Sequence, residues 1–84
     1  MTISFTAKAE RQLKNLPHDI QRRIARKMRF FAEQKNPLHF AKILSDPRLG
    51  EYRFRIGDYR VAFDVSGNAI IVVTVKHRRE AYDL

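Results

Sequence analysis

The segment 52–65, YRFRIGDYRVAFDV, constrains the fold more than any other part of the chain. Its first five residues alternate between apolar side chains and arginines, which is the period of two that a half-buried strand shows. Gly57 and Asp58 separate this run from a second one, and such a pair between two strand-like runs signals a two-residue hairpin turn of the primed type. The sequence therefore predicts two antiparallel strands joined at Gly57 and Asp58.

The turn also determines which residues lie opposite each other in the hairpin. A two-residue loop pairs Ile56 with Tyr59, Arg55 with Arg60, Phe54 with Val61, and Arg53 with Ala62. Directly opposite side chains share a face of the sheet. One face is apolar, and we expect helices to pack on it. It carries Tyr52, Phe54, Ile56, Tyr59, Val61 and Phe63. The opposite face carries Arg53, Arg55 and Arg60.

Two helices are expected before the hairpin. Ile3 and Phe5 alternate with polar neighbours as a short first strand, and Thr6 can cap the helix that follows. Apolar residues then recur at helical spacing up to Pro17, namely Ala9, Leu13 and Leu16. A second helix starts near Pro17 to Asp19 and ends before Asn36 and Pro37. Its apolar side consists of Ile20, Ile24, Met28 and Phe31.

One more strand is expected after the hairpin. A second turn at 66–68 leads into the unbroken apolar run 69–75, which is typical of a central strand buried on both faces. The segment 36–51 has a mixed pattern, and we interpret it as irregular with a short turn of helix around 39–44. The predicted fold class is α+β, in the order β-α-α-β-β-β, with a helical hairpin packed on a small, mainly antiparallel sheet.

Length and composition exclude several classes of protein. A chain of 84 residues is enough for one domain, 1–84, and the absence of cysteine leaves the hydrophobic core to stabilise it. No apolar run is long enough to span a membrane and the start lacks the layout of a secretory signal, so we expect a cytoplasmic protein. The 17 basic and 9 acidic side chains give a net charge of +8, which favours nucleic acid over a membrane surface as the partner.

The three arginines of the hairpin are the first candidate site. Arg55 lies opposite Arg60 with Arg53 next in line, and like charges directly across a sheet are destabilising. The alternative is that the guanidinium groups point into solvent or pair with nearby carboxylates, namely Glu51, Asp58 and Asp64. Three cations on one small patch of an already basic chain favour a bound anion such as phosphate.

The C-terminal segment adds further functional groups. A two- or four-residue loop after the hairpin would pair Arg60 with Val75 and put His77 on the arginine face, whereas a three-residue loop would turn His77 away. With either loop, the segment 76–82 leaves the sheet beside the arginines and adds an imidazole and a phenol. Attack of a ribose 2′-hydroxyl on the adjacent phosphate needs a base, cations around the phosphorane and an acid at the leaving 5′-oxygen. These groups therefore suit RNA cleavage without a metal ion or another cofactor.

The run YRFRIGDYRVAFDV and the later run VKHRREAY together resemble the RelE/ParE toxin superfamily of toxin-antitoxin modules. The resemblance covers the whole chain, including the helical hairpin, the Asn-Pro break and the GDYR turn. It implies a toxin that a cognate, RelB-like antitoxin neutralises in a hetero-oligomeric complex. In the RelE branch it implies a ribosome-dependent endoribonuclease that cuts mRNA in the decoding A site, whereas the ParE branch inhibits DNA gyrase without enzymatic activity. Both branches share the fold, so the fold alone does not choose between them.

The resemblance also implies roles for individual residues. Arg53 and Arg55 occupy places where RelE-type enzymes have lysines, and Arg60 matches the arginine that stabilises the transition-state phosphate. Tyr82 matches the tyrosine that stacks on a base of the message or helps to orient the attacking group. The structural alternative for Tyr82 is an aromatic ring that closes the edge of the core.

The two lysine-to-arginine changes leave the general base open. An arginine stays protonated, so neither Arg53 nor Arg55 can take up the proton of the attacking hydroxyl. His77 is the natural replacement, because surrounding arginines disfavour its charged form. Glu51 and Glu80 are weaker candidates. The structural alternative for His77 is a histidine at the end of the sheet that bonds to a backbone carbonyl.

The remaining cations are candidates for RNA binding. The polar side of the second helix carries Arg22, Arg23, Arg26, Lys27 and Arg29. Such a stripe is often only a solvated face, but five cations on one helix favour contacts with ribosomal RNA that position the toxin. Arg78 and Arg79 lie next to the arginine patch, which favours a phosphate contact by at least one of them. A plain RNA-binding module is a weaker hypothesis, because the strands lack exposed aromatic side chains for stacking bases.

Overall fold

Five strands and two α-helices make up the computed structural model, which describes residues 1–84. The elements are β1 (Thr2–Phe5), α1 (Ala7–Lys14), α2 (His18–Glu33), β2 (Lys42–Ile43), β3 (Tyr52–Ile56), β4 (Tyr59–Ser66) and β5 (Ala69–His77). Short 3-10 turns lie at Pro37–Phe40 and Arg78–Glu80. The strands form one sheet in the order β1-β5-β4-β3-β2, in which only β1 and β5 run parallel. The predicted α+β class, with a helical hairpin on a mainly antiparallel sheet, is confirmed.

A capping side chain marks the start of α1, and a proline separates α1 from α2. The Thr6 hydroxyl accepts a hydrogen bond from the Ala9 amide at 3.2 Å and caps α1, as predicted. Pro17 separates the helices, and the Gln21 side-chain amide donates to the Leu16 carbonyl at 2.8 Å across this junction. Neither helix has the length and apolar character needed to cross a membrane. The helices form the predicted helical hairpin.

The core lies between α2 and one face of the sheet. Phe31 of α2 stacks on Phe54 of β3 with ring centroids 4.2 Å apart, and Phe54 stacks on Phe63 of β4 at 4.4 Å. Ile24 and Met28 of α2 are almost fully buried in the same cluster. The helices therefore cover the apolar face that the alternation of the hairpin predicts.

The β3–β4 hairpin has the predicted register. Its pairs include Ile56 with Tyr59, Arg55 with Arg60, Phe54 with Val61, and Arg53 with Ala62. Gly57, the first residue of the turn, has φ +57°, while Asp58 has a negative φ. This combination is that of a type II′ turn, one of the two primed types. The turn therefore accounts for the placement of three arginines on one face.

The segment 36–51 departs from the prediction in two ways. Its 3-10 turn lies at Pro37–Phe40, earlier than the expected 39–44, and Lys42–Ile43 form a strand where irregular structure was expected. A strand of two residues is too short to show alternation, and β2 exists only through its pairing with β3. The local pattern cannot report such a tertiary pairing.

A β-bulge in β5 changes the predicted relationship between the last two strands. The loop after β4 has two residues, as one of the predicted cases assumed, but the pairing shifts by one position halfway along the strands. Val73 is the extra residue at this point, so Arg60 lies opposite Lys76. The predicted pairing of Arg60 with Val75 is therefore wrong.

Groups from two other segments contact the bulged strand. A β-carbon on Gly50 would lie 3.4 Å from Val73 Cγ2, so the loop before β3 packs closely over the bulge. Val75 lies beyond the part of β5 that pairs with β1, and its amide donates a hydrogen bond to the side-chain oxygen of Gln12 at 2.8 Å. On the face away from the helices Thr74 is buried but Ile71 and Val73 are only half-buried, so the expected burial of this strand on both faces is confirmed only in part.

Candidate functional site

Cations from four strands lie on the face of the sheet turned away from the helices. Arg55, Arg60 and Lys76 lie opposite one another on β3, β4 and β5. Lys42 on β2 lies opposite Arg53 on β3. Because directly opposite residues share a face, the five side chains lie on one side of the sheet. This set, Lys42, Arg53, Arg55, Arg60 and Lys76, is named the cationic face.

The cationic face has no carboxylate partner. The chain forms three ion pairs, and their cations are Lys14, Arg48 and Arg78. None of these three belongs to the cationic face. No ion pair within the protein therefore neutralises these five cations.

The carboxylates considered as partners for the arginines are engaged elsewhere. Glu51 Oε1 accepts a hydrogen bond from the Val65 amide at 2.8 Å. Asp64 Oδ1 accepts one from the Glu51 amide at 2.9 Å, so these two side chains hold the loop before β3 against β4. Asp58 pairs with Arg78 at 3.7 Å. None of these carboxylates therefore forms an ion pair with the three arginines, and Asp58 acts on Arg60 only by raising its pKa in part.

Arg60 is held by the hairpin turn and crowded by like charges. Its NH1 group donates to the carbonyls of Gly57 and Tyr59, each at 3.1 Å. Burial lowers the pKa of Arg60 from its ordinary value, and the neighbouring arginines lower it further. An anion bound here would relieve both effects, because it would offset the desolvation and the repulsion.

Arg53 contributes a buried donor without an acceptor. Its Nε atom is buried and has no hydrogen-bond partner in the protein. Buried polar atoms in folded proteins are nearly always paired, so an orphan donor calls for a specific explanation. A ligand oxygen on the cationic face would supply the missing acceptor.

His77 does not lie on the cationic face. It lies opposite Tyr59, with the two ring centroids 5.3 Å apart, because the bulge at Val73 reverses the side on which it points. The predicted grouping of His77 with the arginines is therefore wrong. Its Nδ1 accepts a hydrogen bond from the Arg79 amide at 3.1 Å. The structural alternative, in which the ring bonds to a backbone carbonyl, therefore does not describe this nitrogen. The neutral ring then carries its proton on Nε2. A role for His77 in proton transfer stays a prediction.

Tyr82 lies outside the core. Its side chain is 87% exposed, whereas the preceding Ala81 is 6% exposed and occupies the buried position. The alternative in which the ring closes the edge of the core is therefore wrong. Tyr82 lines an open cleft together with the loop at 45–49. A narrower crevice shares part of that lining and extends to Lys76.

The basic side of α2 reaches the hairpin turn. The five predicted cations are exposed: Arg22, Arg23, Arg26, Lys27 and Arg29. The Arg23 guanidinium lies over Gly57, since a β-carbon there would be 2.9 Å from its NH2 atom. Arg60 donates a hydrogen bond to the carbonyl of the same glycine. The turn therefore links the α2 cations to the cationic face. Arg78 and Arg79 are also exposed, at the end of β5.

Sequence reasoning missed three lysines near the site. Lys42 and Lys76 belong to the cationic face. Lys8 Nζ lies 3.3 Å from Thr74 Oγ1, and Thr74 lies on the same face, opposite the Ala62 that pairs with Arg53. The position of Lys42 depends on β2 and that of Lys76 on the bulge, and neither feature has a local signal. Lys8 and Thr74 are 66 residues apart in the chain. Only tertiary structure could have found these three.

Exposed apolar side chains lie on the helix side of the sheet, near β2. Phe30, Phe40 and Ile43 are 47%, 45% and 75% exposed, and this set is named the apolar corner. The rings of Phe30 and Phe40 have centroids 6.1 Å apart, and Lys27 Nζ lies 5.0 Å from the Phe30 ring. Ile43 belongs to β2, the edge strand, whose outer side pairs with no other strand. An apolar patch beside an open strand edge suits a protein partner.

The sequence matches one family over almost its whole length. Residues 3–82 match the model of the ParE toxin of type II toxin-antitoxin system, parDE. Toxin RelE3 of Methanocaldococcus jannaschii is 31% identical over 86 residues, which cover 99% of this chain and 97% of that protein. The match to both therefore extends across helices, hairpin and C-terminal segment alike.

Two solved toxin-antitoxin complexes contain chains of similar structure. One is RelBE2 from Mycobacterium tuberculosis, with a TM-score of 0.74 and 28% identity over 92% of this chain and 90% of that one. The other is the RelB-RelE complex from Methanococcus jannaschii, with a TM-score of 0.69 and 27% identity over 94% of each chain. The similarity covers the helical hairpin and the sheet together.

Proposed function

The chain belongs to the RelE/ParE superfamily of type II toxin-antitoxin toxins, and we propose that it is a ribosome-dependent endoribonuclease that cleaves mRNA in the A site. The observation that supports this activity is the cationic face, whose five cations have no carboxylate partner. Phosphodiester cleavage needs positive charge where the phosphorane develops. An inhibitor that acts through a protein interface has no such need. This activity would take place in the cytoplasm, where ribosomes translate mRNA.

The proposed reaction is an internal transfer at phosphorus. The 2′-oxygen forms a bond to the adjacent phosphorus and loses its proton to a base, while the bond from phosphorus to the 5′-oxygen breaks and that oxygen gains a proton. The products are a 2′,3′-cyclic phosphate and a 5′-hydroxyl. Arg53, Arg55 and Arg60 would hold the non-bridging oxygens, where charge develops. They act electrostatically, because an arginine does not release its proton.

Proton transfer falls to other residues. Lys76 lies opposite Arg60 and, unlike an arginine, can give a proton to the leaving oxygen. Two groups can accept the proton of the 2′-hydroxyl. Glu80 lines the crevice that contains Lys76, whereas His77 must first release the Arg79 amide from Nδ1. The pH–rate profiles of Glu80→Gln and His77→Ala show which group accepts the proton. Only loss of the true acceptor removes the ascending limb of the profile.

The ribosome would supply the orientation that the isolated protein lacks. Arg23, one of the α2 cations, lies over the hairpin turn, so contacts between these cations and ribosomal RNA would place the cationic face at the message. Holding the 2′-hydroxyl in line with the phosphate is worth about 7 kcal/mol or more. We therefore expect purified protein to cut naked RNA poorly.

A cognate antitoxin completes the proposed function. The structural neighbours are toxin chains from RelB-RelE complexes, so we propose that a RelB-like antitoxin binds this chain in a hetero-oligomer. The apolar corner and the open edge of β2 suit an amphipathic segment that orders on binding. Its acidic residues would be attracted by the net charge of +8, which speeds association.

Inhibition of DNA gyrase is the second candidate function. The match of residues 3–82 to the ParE model favours it. The two candidates leave different products in cells that express the toxin. Primer extension on total RNA should show breaks confined to translated codons if the proposed activity is right. Intact messages together with accumulated gyrase–DNA adducts would support the ParE-type function instead.

A further inference from the structure

One cation beside the cationic face has no part in the proposed reaction. Lys8 is an exposed residue in the first turn of α1, and its Nζ atom donates a hydrogen bond to the Thr74 hydroxyl at 3.3 Å. The three ion pairs of the chain contain other cations. The charge of Lys8 therefore has no carboxylate partner in the protein.

The packing of α1 against β5 holds Lys8 in place. β1 pairs with β5 only as far as Val72, and α1 contacts the strand beyond that point. Gln12, one helical turn after Lys8, accepts a hydrogen bond from the Val75 amide at 2.8 Å. The two side chains of α1 thus bond to consecutive residues of one strand, Thr74 and Val75. This double contact fixes the Lys8 ammonium at the edge of the sheet.

Thr74 supplies a buried hydroxyl next to this ammonium. It is 7% exposed and is the one buried residue with a polar side chain. Its oxygen accepts the hydrogen bond from Lys8, whereas its proton is donated to no acceptor in the protein. A hydroxyl can donate one hydrogen bond while it accepts another, and buried donors are nearly always paired. A ligand oxygen would provide the missing acceptor.

The crevice that contains Lys76 connects these groups to the cationic face. It has a volume of about 60 Å³, and its lining includes Lys8, Thr74 and Lys76. This volume has room for a few water-sized groups, such as the oxygens of one phosphate. Thr74 and Lys76 are alternate residues of β5, so they share a face and lie roughly 7 Å apart along the strand. Neighbouring phosphates of one RNA strand have a similar separation.

Two carboxylates of the C-terminal segment also line the crevice, namely Glu80 and Asp83. Neither forms an ion pair with Lys8 or Lys76. Both reduce the attraction for an anion, but Lys76 also lies opposite Arg60 of the cationic face. The cations of the crevice therefore continue a larger positive surface, which favours an anion as the occupant.

From these observations we propose that Lys8 and Thr74 bind the phosphate next to the scissile one. This inference rests on the proposed function, because the scissile phosphate lies on the row of Arg55 and Arg60. Lys8 attracts the second phosphate, the Thr74 hydroxyl donates to one of its non-bridging oxygens, and Lys76 lies between the two phosphates. Two fixed phosphates define the direction of the backbone between them, which helps to hold the 2′-hydroxyl in line. Lys8 and Thr74 bind and orient the RNA, and they transfer no proton.

Binding of a short oligonucleotide to the free protein tests this site. A trinucleotide that carries 2′-deoxyribose has two phosphates and cannot be cleaved, and NMR titration gives its affinity. Lys8→Ala should weaken binding about fivefold or more. It should also lower the slope of log affinity against log salt by about 0.7, the value for one phosphate contact on a single strand. Lys14→Ala is the matched control, because Lys14 lies on the other side of α1, where it pairs with Glu10 at 2.9 Å. Equal slopes for Lys8→Ala and Lys14→Ala would overturn the proposal.

A neutral linkage identifies the phosphate that Lys8 binds. Replacing one phosphate of the trinucleotide with a methylphosphonate should weaken binding to the wild type. In Lys8→Ala, one of the two possible replacements should have little further effect, because that phosphate has already lost its cation. Additive losses at both linkages would contradict the assignment.

Two further positions test the chemistry of the crevice. Thr74→Val removes the hydroxyl while it keeps the shape of the side chain, so it should weaken binding at the linkage that Lys8 recognises. Thr74→Ser keeps the hydroxyl and should bind like the wild type. Asp83→Asn removes a repelling carboxylate and should bind the trinucleotide more tightly. Weaker binding by Asp83→Asn would show that the crevice does not take an anion.

Cleavage on programmed ribosomes separates this inference from the proposed function. Lys8→Ala should lower the single-turnover rate by about the factor by which it weakens binding. Cleavage by Lys8→Ala at the wild-type rate, together with additive losses in the titration, would overturn the second phosphate site and leave the ribonuclease function intact. If the wild type does not cleave, the ribonuclease function fails, and the titration alone decides whether the crevice binds a phosphate.

Discussion

Arg55 and Arg60 lie directly opposite each other in the β3–β4 hairpin, and neither forms an ion pair with a carboxylate. Like charges in this position repel, so the free protein carries an unfavourable interaction near the hairpin turn. Lys76 extends the row on the next strand. A site that is destabilised in the empty protein and relieved by an anion fits a function in which phosphate binds there.

The first prediction concerns the stability of the free protein. Arg55→Thr removes one of the facing charges and keeps a side chain that favours strands. We expect a melting temperature a few degrees above that of the wild type, because such repulsion costs up to about 1 kcal/mol and 1 kcal/mol shifts Tm by roughly 4–8 °C at this size. Thermal unfolding followed by circular dichroism at low salt measures the difference. Arg79→Thr, which removes a cation that lies outside the strands, is the control. A lower melting temperature for Arg55→Thr would contradict the repulsion.

The second prediction concerns acid. Hydrogen bonds from Arg48 lower the pKa of Asp46 below its ordinary value. A carboxyl with a lower pKa in the folded state stabilises the fold above the ordinary aspartate pKa of about 3.9, and this contribution is lost as the pH falls through the folded-state value. Asp46→Asn should therefore be less stable than the wild type near neutral pH and equally stable in strong acid. Urea unfolding at both pH values tests this, and a difference that does not change with pH would contradict it.

A pair of glycines provides the third prediction. Gly57 and Gly67 both have φ +57°, so replacing either with alanine should destabilise the fold by about 1 kcal/mol. They differ in their surroundings, because a β-carbon at Gly57 meets the Arg23 guanidinium, whereas a β-carbon at Gly67 meets nothing within 4 Å. Gly57→Ala should therefore also displace Arg23 and weaken binding to the ribosome. Sedimentation with ribosomes measures this, and equal binding by the two variants would mean that Arg23 does not contribute from this position.

The fourth prediction concerns neutralisation by the antitoxin. Ile43 is 75% exposed, so Ile43→Asp should leave the free fold intact while it weakens the antitoxin complex by about tenfold or more.

A second variant, Arg55→Glu, tests whether the antitoxin also covers the cationic face. If it does, that variant should bind markedly more weakly, and the wild-type affinity should fall as salt rises. Unchanged affinity for Arg55→Glu would rule out direct capping and leave displacement of the C-terminal segment or steric exclusion from the A site.

The hairpin could be predicted to the residue because its turn and its alternation specify the same register. Only one pairing across Gly57 and Asp58 buries the aromatic side chains and exposes the arginines, and the structure has that pairing. The cap at Thr6 and the helix break at Pro17 could be predicted equally well, since each depends on neighbours within a few residues. Local chemistry determined these features, and therefore the sequence alone could reveal them.

The errors that misplaced residues of the candidate site involve long-range contacts. One inserted residue, Val73, reverses the side of the sheet on which His77 lies, and the contacts around it come from Gly50 and Gln12 in distant segments. An unbroken apolar run gives no sign of where such a bulge occurs, because both sides of the strand look alike. For the same reason, Lys76 could not be recognised as the neighbour of Arg60.

Cleavage by Arg60→Ala on ribosomes tests the central claim, that the cationic face stabilises a phosphate during RNA cleavage. Removing one preorganised charge from such a site costs roughly 10² to 10³ in rate. We predict a loss of that size in single-turnover cleavage of A-site mRNA, with an unchanged circular dichroism spectrum and unchanged ribosome binding. Arg60→Lys, which keeps a charge, should lose less. Cleavage by Arg60→Ala at the wild-type rate would contradict the account.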